Sequence, residues 1–155
     1  MKKIASTLIM IFAIGFVSSS LAQQNQQQMQ QMQKNIQQMQ EMTQKMTKMN
    51  QRIHTMNQEM SGLMERARDQ QQRNQYEMMH RMGEQMGLML GNMKNAAERC
   101  QLMLQDQTMM QDQQMRQDMD QIREQLRDMT GKIEESVQTM ERMTKRLRDN
   151  PQTSN

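Results

Sequence analysis

Residues 42–67 read MTQKMTKMNQRIHTMNQEMSGLMERA, in which Met42, Met46, Met49, Ile53, Met56, Met60, Leu63 and Ala67 follow one another at alternating steps of four and three. A helix turns about 100° per residue, so this alternation gathers the apolar side chains on one face. No strand-like alternation occurs elsewhere, and the single proline is Pro151. This pattern sets the fold class. It predicts an all-α chain, an elongated antiparallel helical bundle or coiled coil of two or three long amphipathic helices.

The pattern extends in both directions. Upstream, Met29, Met32, Ile36 and Met39 are spaced 3, 4 and 3, and a further three-residue step, a stammer in heptad terms, joins them to Met42. They punctuate the low-complexity tract QQNQQQMQQMQKNIQQMQ at 23–40, a composition that is often disordered. Glutamine and methionine are nevertheless good helix formers, and the period persists. Downstream, Met79, Met82, Met86, Met89, Met93, Ala97, Cys100 and Leu104 keep one face, and Met115, Met119, Ile122, Leu126, Met129, Ile133, Val137, Met140 and Leu147 keep another. Residues 68–77 and 105–113 break the pattern, the second by turning Thr108 and Asp112 toward the apolar side. Ser61-Gly62 and Thr130-Gly131 are lesser interruptions. The expectation is three helices over 26–72, 76–105 and 110–149, with a hairpin that fuses the last two as the alternative. Glu65 with Arg68, Glu77 with Arg81, Glu124 with Arg127, and Glu141 with Lys145 fall at helical neighbour spacings on the outer faces.

The first 22 residues, MKKIASTLIMIFAIGFVSSSLA, have a positive start, an apolar middle and small residues at Ser20 and Ala22. That is the form of a secretory signal peptide, and the apolar run is shorter than the ~20 residues of a membrane span. The reading is therefore a leader over 1–22, a Met/Gln-rich helical domain over 23–149 and a disordered tail over 150–155. The mature protein is placed in the periplasm or secreted, with no stable membrane anchor after cleavage. Removal of Lys2 and Lys3 leaves 18 basic against 17 acidic residues. With that balance, and with Tyr76 as the only remaining aromatic residue, nucleic acid is not an expected partner.

Of the 25 methionines, 23 lie beyond residue 22, where they outnumber the other large aliphatics by about two to one. Neutral thioethers are soft ligands that favour Cu(I) and, by the same logic, Ag(I), and they cannot be lost to disulfides in an oxidising compartment. On a helix, Met79, Met82, Met86, Met89 and Met93 fall within an arc of roughly 80°, with Cys100 near its middle. Met39, Met42, Met46, Met49, Met56 and Met60 offer further pairs three or four residues apart. These twelve residues are the candidate ligands. His54 and His80 lie off the methionine faces and read as exposed. Beside the arc, Gly83, Gly87 and Gly91 form a ridge that lets another helix approach closely, which points to a homo-oligomer.

Three readings compete. Methionine clusters would buffer or sequester soft metal. Methionine would instead simply fill heptad positions of a structural protein, or give a holdase-type chaperone an adaptable surface for unfolded clients. It would also serve as a renewable oxidant sink. No catalytic set, phosphate loop or hydrolase spacing is present, so an enzyme is not expected. In composition the chain resembles two kinds of exported protein, the Met/His-rich silver- and copper-binding proteins and the Spy-type metal-stress chaperones. It lacks the Met/His motifs of the first and the repeated Leu-Thr-x-x-Gln of the second, to which MTQKM at 42–46 is a distant echo.

Overall fold

A computed structural model describes residues 5–106 and 108–149, with the side chains of Gln23 and of residues 26–106 and 108–149. The leader expected over 1–22 is thus described only as backbone from Ala5, and the tail over 150–155 lies outside the described residues. Three helices account for nearly all of it: α1, Ala5–Arg66; α2, Gln70–Gln105; and α3, Gln113–Asp149. The chain divides into two units, residues 1–37 and 38–155.

Aspartates set the breaks between helices. Asp69 accepts from the Gln72 backbone N–H at 2.8 Å and starts α2, so α1 ends at Arg66 rather than near residue 72. Between α2 and α3, Asp106 accepts from the Thr108 and Met109 N–H groups, and Asp112 accepts from those of Gln114 and Met115. Each satisfies helix-start donors that have no partner within the helix. Asp106 and Asp112 are both extended, and a 3-10 turn at Met109–Gln111 lies between them, so α2 and α3 are separate helices and not one fused rod. The helices run straight through Ser61-Gly62 and Thr130-Gly131.

In the first unit Asn35 is buried and accepts from Gln31 Nε2, while Ile36 is half-buried and Met29 is exposed.

In the second unit the ends of three contacts fix the helix directions. Lys45 pairs with Glu134, Arg52 with Glu141 and Glu59 with Arg148, each pair seven residues beyond the last on both helices, so α1 and α3 are parallel. Gly83 abuts Asn57 and Gly87 abuts Asn50 and Ile53, so α2 is antiparallel to α1. Tyr76 donates to the Leu147 carbonyl at 3.4 Å, while Cys100 near the other end of α2 feels the charge of Arg123, so α2 is also antiparallel to α3. The result is an up-down-up three-helix bundle.

Each helix keeps a strict alternation of three and four, and this revises the expected seams. On α2 the buried positions are Tyr76, Met79, Gly83, Leu90, Met93, Ala97, Cys100 and Leu104, with Met86 half-buried between Gly83 and Leu90. Met82 and Met89, expected on the seam, are 42% and 45% exposed. On α3, Met119, Leu126, Thr130, Ile133, Val137, Met140 and Thr144 are buried, and Ile122 and Met129 are exposed. The sequence-based seam follows apolar identity and drifts by one position. Packing instead holds the seven-residue period and accepts Gly83, Arg123, Thr130 and Thr144 at seam positions, because a helix that drifted would turn its face away from both neighbours.

Of the expected outer-face pairs, Glu77–Arg81 and Glu124–Arg127 form. Glu141 turns instead to Arg52 on α1, where Nε and Nη2 of the guanidinium donate to both carboxylate oxygens. That bidentate contact holds the Glu141 carboxyl below its ordinary value and raises Arg52.

Two outcomes are expected. Met46→Ala and Met79→Ala, at seam positions, should each cost about 2–5 kcal/mol in urea unfolding, and Met82→Ala and Met89→Ala under about 1 kcal/mol. Equal losses at all four would restore the sequence-based register. Because the folded-state value of Glu141 is depressed, its contribution is present at neutral pH and is lost as pH falls from the ordinary glutamate range through the lowered value. Glu141→Gln should therefore flatten the acid side of the stability curve in that window and leave its alkaline side unchanged.

Candidate functional site

The three registers, carried along the seams, align the helices level by level. Met39 stands with Cys100 and Arg123, Met42 with Ala97 and Leu126, and Met46 with Met93 and Thr130. Met49 stands with Leu90 and Ile133, Ile53 with Met86 and Val137, Met56 with Gly83 and Met140, and Met60 with Met79 and Thr144. Thioethers from different helices therefore share a level at Met46 and Met93, at Met56 and Met140, and at Met60 and Met79. A thioether and a thiol share the level of Met39 and Cys100.

This placement divides the twelve candidate ligands. Met39, Met42, Met46, Met49, Met56 and Met60 are all buried in the bundle, as are Met79, Met93 and Cys100. Met86 is half-buried, and Met82 and Met89 look outward. The arc from 79 to 93 is thus split between the core and the surface and does not act as one face. Met119 and Met140, expected only as core, join the buried methionines. Among the described residues, ten of the nineteen buried apolar side chains are methionine, a share that packing alone would normally give to leucine.

The flanks of the seams differ sharply in chemistry. Between α1 and α3 lie the ion pairs. Between α1 and α2 lie Asn50, Asn57, Gly83 and Gly87. Gly83 and Gly87 thus serve close approach within the chain, whereas a Cβ at Gly91 would meet no atom of another described helix within 4 Å. The remaining flank, between α2 and α3, carries the residues that immediately precede seam positions. These are Met82, Met89, Ala96 and Met103 on α2, and Ile122, Met129, Ser136 and Met143 on α3. Met82, Met89, Ile122, Met129 and Met143 are each 39–45% exposed, forming an apolar, mostly thioether stripe open to solvent.

Polar groups inside the bundle are few. Thr130 donates to the Leu126 carbonyl at 2.7 Å. Thr144, two heptads further on, has a buried hydroxyl oxygen with no hydrogen-bond partner, and so has the Asn57 carboxamide oxygen. Arg123 occupies a seam position with only 12% of its side chain exposed and pairs with Asp120 and Glu124. Its Nη1 is 3.0 Å from Asp120 but out of line for a hydrogen bond, and its Nε is also unbonded. Burial pushes the Cys100 thiol up, Arg123 opposes that shift, and Asp120 adds to it. His54 is exposed beside Gln58, and His80 is half-buried 3.8 Å from Glu84. No group of three or more His, Cys, Asp or Glu side chains that could hold a metal ion occurs among the described residues, so the core offers soft sulfur and neutral oxygen rather than a carboxylate or imidazole set.

Asn57 and Thr144 are the polar atoms that sequence reasoning missed. The signal was available only by counting heptads without regard to residue type, which puts Thr144 in the α3 seam and Asn57 on the flank facing Gly83. Comparison with protein-family models, curated proteins and solved structures finds no match for this chain.

Cys100 is 1% exposed, and a thiol held protonated is a poor nucleophile. Iodoacetamide at neutral pH should label it slowly in the folded protein and rapidly in urea. Equal rates in both states would mean that this level of the bundle opens freely.

Proposed function

We propose that this chain is an exported, non-enzymatic helical protein that holds the soft monovalent ions Cu(I) or Ag(I) through thioethers, for buffering or sequestration. The observation that carries the reading is the pairing of methionines from different helices at the same level of the bundle, in a core where leucine would pack more definitely. Thioethers that converge from separate helices are fixed relative to one another by the fold, which lowers the cost of gathering them around an ion. Apart from Arg123 the seam side chains are uncharged, a setting that disfavours hard divalent ions, which want carboxylates and water. The form of residues 1–22 supports export, and a chain that carries its soft ligands as thioethers suits an oxidising compartment. Among the described residues, no helix is long and apolar enough to cross a membrane. In finer detail, the seven-residue seams suit a three-stranded coiled coil.

A second reading rests on a different observation, the exposed stripe of Met82, Met89, Ile122, Met129 and Met143. Flexible thioether side chains adapt to varied apolar surfaces, so this flank suits an unfolded client in a holdase role. Self-association would use the same flank and Gly91, because Gly83 and Gly87 already face α1.

Native mass spectrometry of the purified protein with Ag(I), and with Cu(I) under reductant, separates the two. The metal reading expects a discrete adduct at micromolar metal, and its absence refutes that reading. The holdase reading expects metal-independent suppression of the aggregation of an unrelated unfolding protein, lost when Met82, Met89, Met129 and Met143 are replaced by lysine.

A further inference from the structure

One section of the bundle stands apart from the rest of the core. At two adjacent levels each helix contributes a pair of residues four apart: Met56 and Met60 on α1, Met79 and Gly83 on α2, and Met140 and Thr144 on α3. The four methionines are 1–5% exposed. Of the six side chains that would fill these levels, four are thioethers, one is missing at Gly83 and one is a hydroxyl.

The two oxygens nearby are both orphaned. The carboxamide of Asn57 lies against Gly83, in the space that a Cβ there would need, and its buried Oδ1 has no partner. The Thr144 hydroxyl is equally buried and unbonded, although Thr130, at the same heptad position, makes the usual bond to the carbonyl four residues back. Buried oxygens without partners cost free energy and call for an explanation, such as an ordered water or a cation. The seam residues at the same two levels are four buried methionines, whose sulfurs accept but do not donate. Thioether sulfur and uncharged oxygen, with no carboxylate among the seam residues of these two levels, match the ligand preference of a soft cation of single charge; the competing occupant is a water that donates to the two oxygens.

We infer that Met56, Met60, Met79 and Met140 form a buried thioether cage for one Cu(I) or Ag(I) ion, with Asn57 Oδ1 and Thr144 Oγ1 turned toward its charge. The inference rests on the soft-metal reading and assigns it a site. Gly83 is part of that site, because only a residue without a side chain admits the Asn57 carboxamide between α1 and α2. Met140 enters as a ligand that the α3 seam supplies, and Met82 and Met89 are left outside.

The test is an Ag(I) titration of the protein labelled at its methionine methyl carbons, followed by NMR. The expected result is saturation near one equivalent, with the largest shifts at Met56, Met60, Met79 and Met140. Replacing these four by leucine should preserve helicity by circular dichroism and weaken Ag(I) binding at least tenfold. The same replacement at Met82, Met89, Met129 and Met143 should leave binding unchanged. If the shifts fall on the flank methyls and the flank variant alone loses the ion, the cage is refuted while the soft-metal reading stands. If the wild-type protein takes up no Ag(I), both fail, and the orphaned oxygens are satisfied by water. The wild-type shift pattern decides between these outcomes even if the core variant fails to fold.

Discussion

Three helices can stay in contact over many turns only if each presents its buried positions on a common seven-residue period, and the second unit of this protein depends on that constraint. A straight helix has 3.6 residues per turn, so a face defined by residue type alone wanders away from its neighbours within a few turns. Contact with two neighbours at once forbids the wandering. The seams therefore include Gly83, Arg123, Thr130 and Thr144, and they exclude Met82, Met89, Ile122 and Met129. Every feature proposed for function follows from that exchange. Thr144 brings an unpartnered hydroxyl inside, Gly83 leaves room for the unpartnered Asn57 oxygen, and the displaced apolar residues create a thioether stripe outside.

Methionine suits a core built this way. Its long, unbranched side chain fills irregular space, so levels with a glycine or a threonine close without a rigid fit. The cost is definition, since flexible side chains specify a unique packing less well than leucine. The charged α1–α3 flank and the close α1–α2 approach at Gly83 and Gly87 supply geometry that the core side chains alone would leave loose.

The all-α class and the α1 seam from Met39 to Met60 were legible in the sequence, because there apolar identity and the heptad period coincide at every step. The same reading failed on α2 and α3 where methionine is so abundant that it occupies positions on both sides of the true seam. At 82–83 and 89–90, Met82 and Met89 outweigh Gly83 and Leu90 in any count of apolar faces, and only packing against two neighbours breaks the tie. The break between α2 and α3 was legible as a slip of phase, but not as a pair of aspartate caps. Asn57 and Thr144 were not legible as site residues at all. Their significance lies in having no partner, which is a property of the folded arrangement and not of either residue type.

The ion pairs between α1 and α3 carry one more piece of information, in their order of sign. Lys45 and Arg52 on α1 are positive and Glu59 is negative, while Glu134, Glu141 and Arg148 on α3 run negative, negative and positive. Sliding α3 by one heptad in one direction would set Arg52 against Arg148, and in the other direction Glu59 against Glu141. Each wrong contact replaces an attraction with a repulsion, a difference on the order of 1 kcal/mol for charges at a surface. The α1 seam that faces α3 is nearly all methionine, and its flexible side chains adapt to whichever α3 residues stand opposite, so the core alone resists such a slide poorly. The reversal of sign at Glu59 and Arg148 works as a key, legible only in one alignment, that keeps α1 and α3 from settling a heptad out of step.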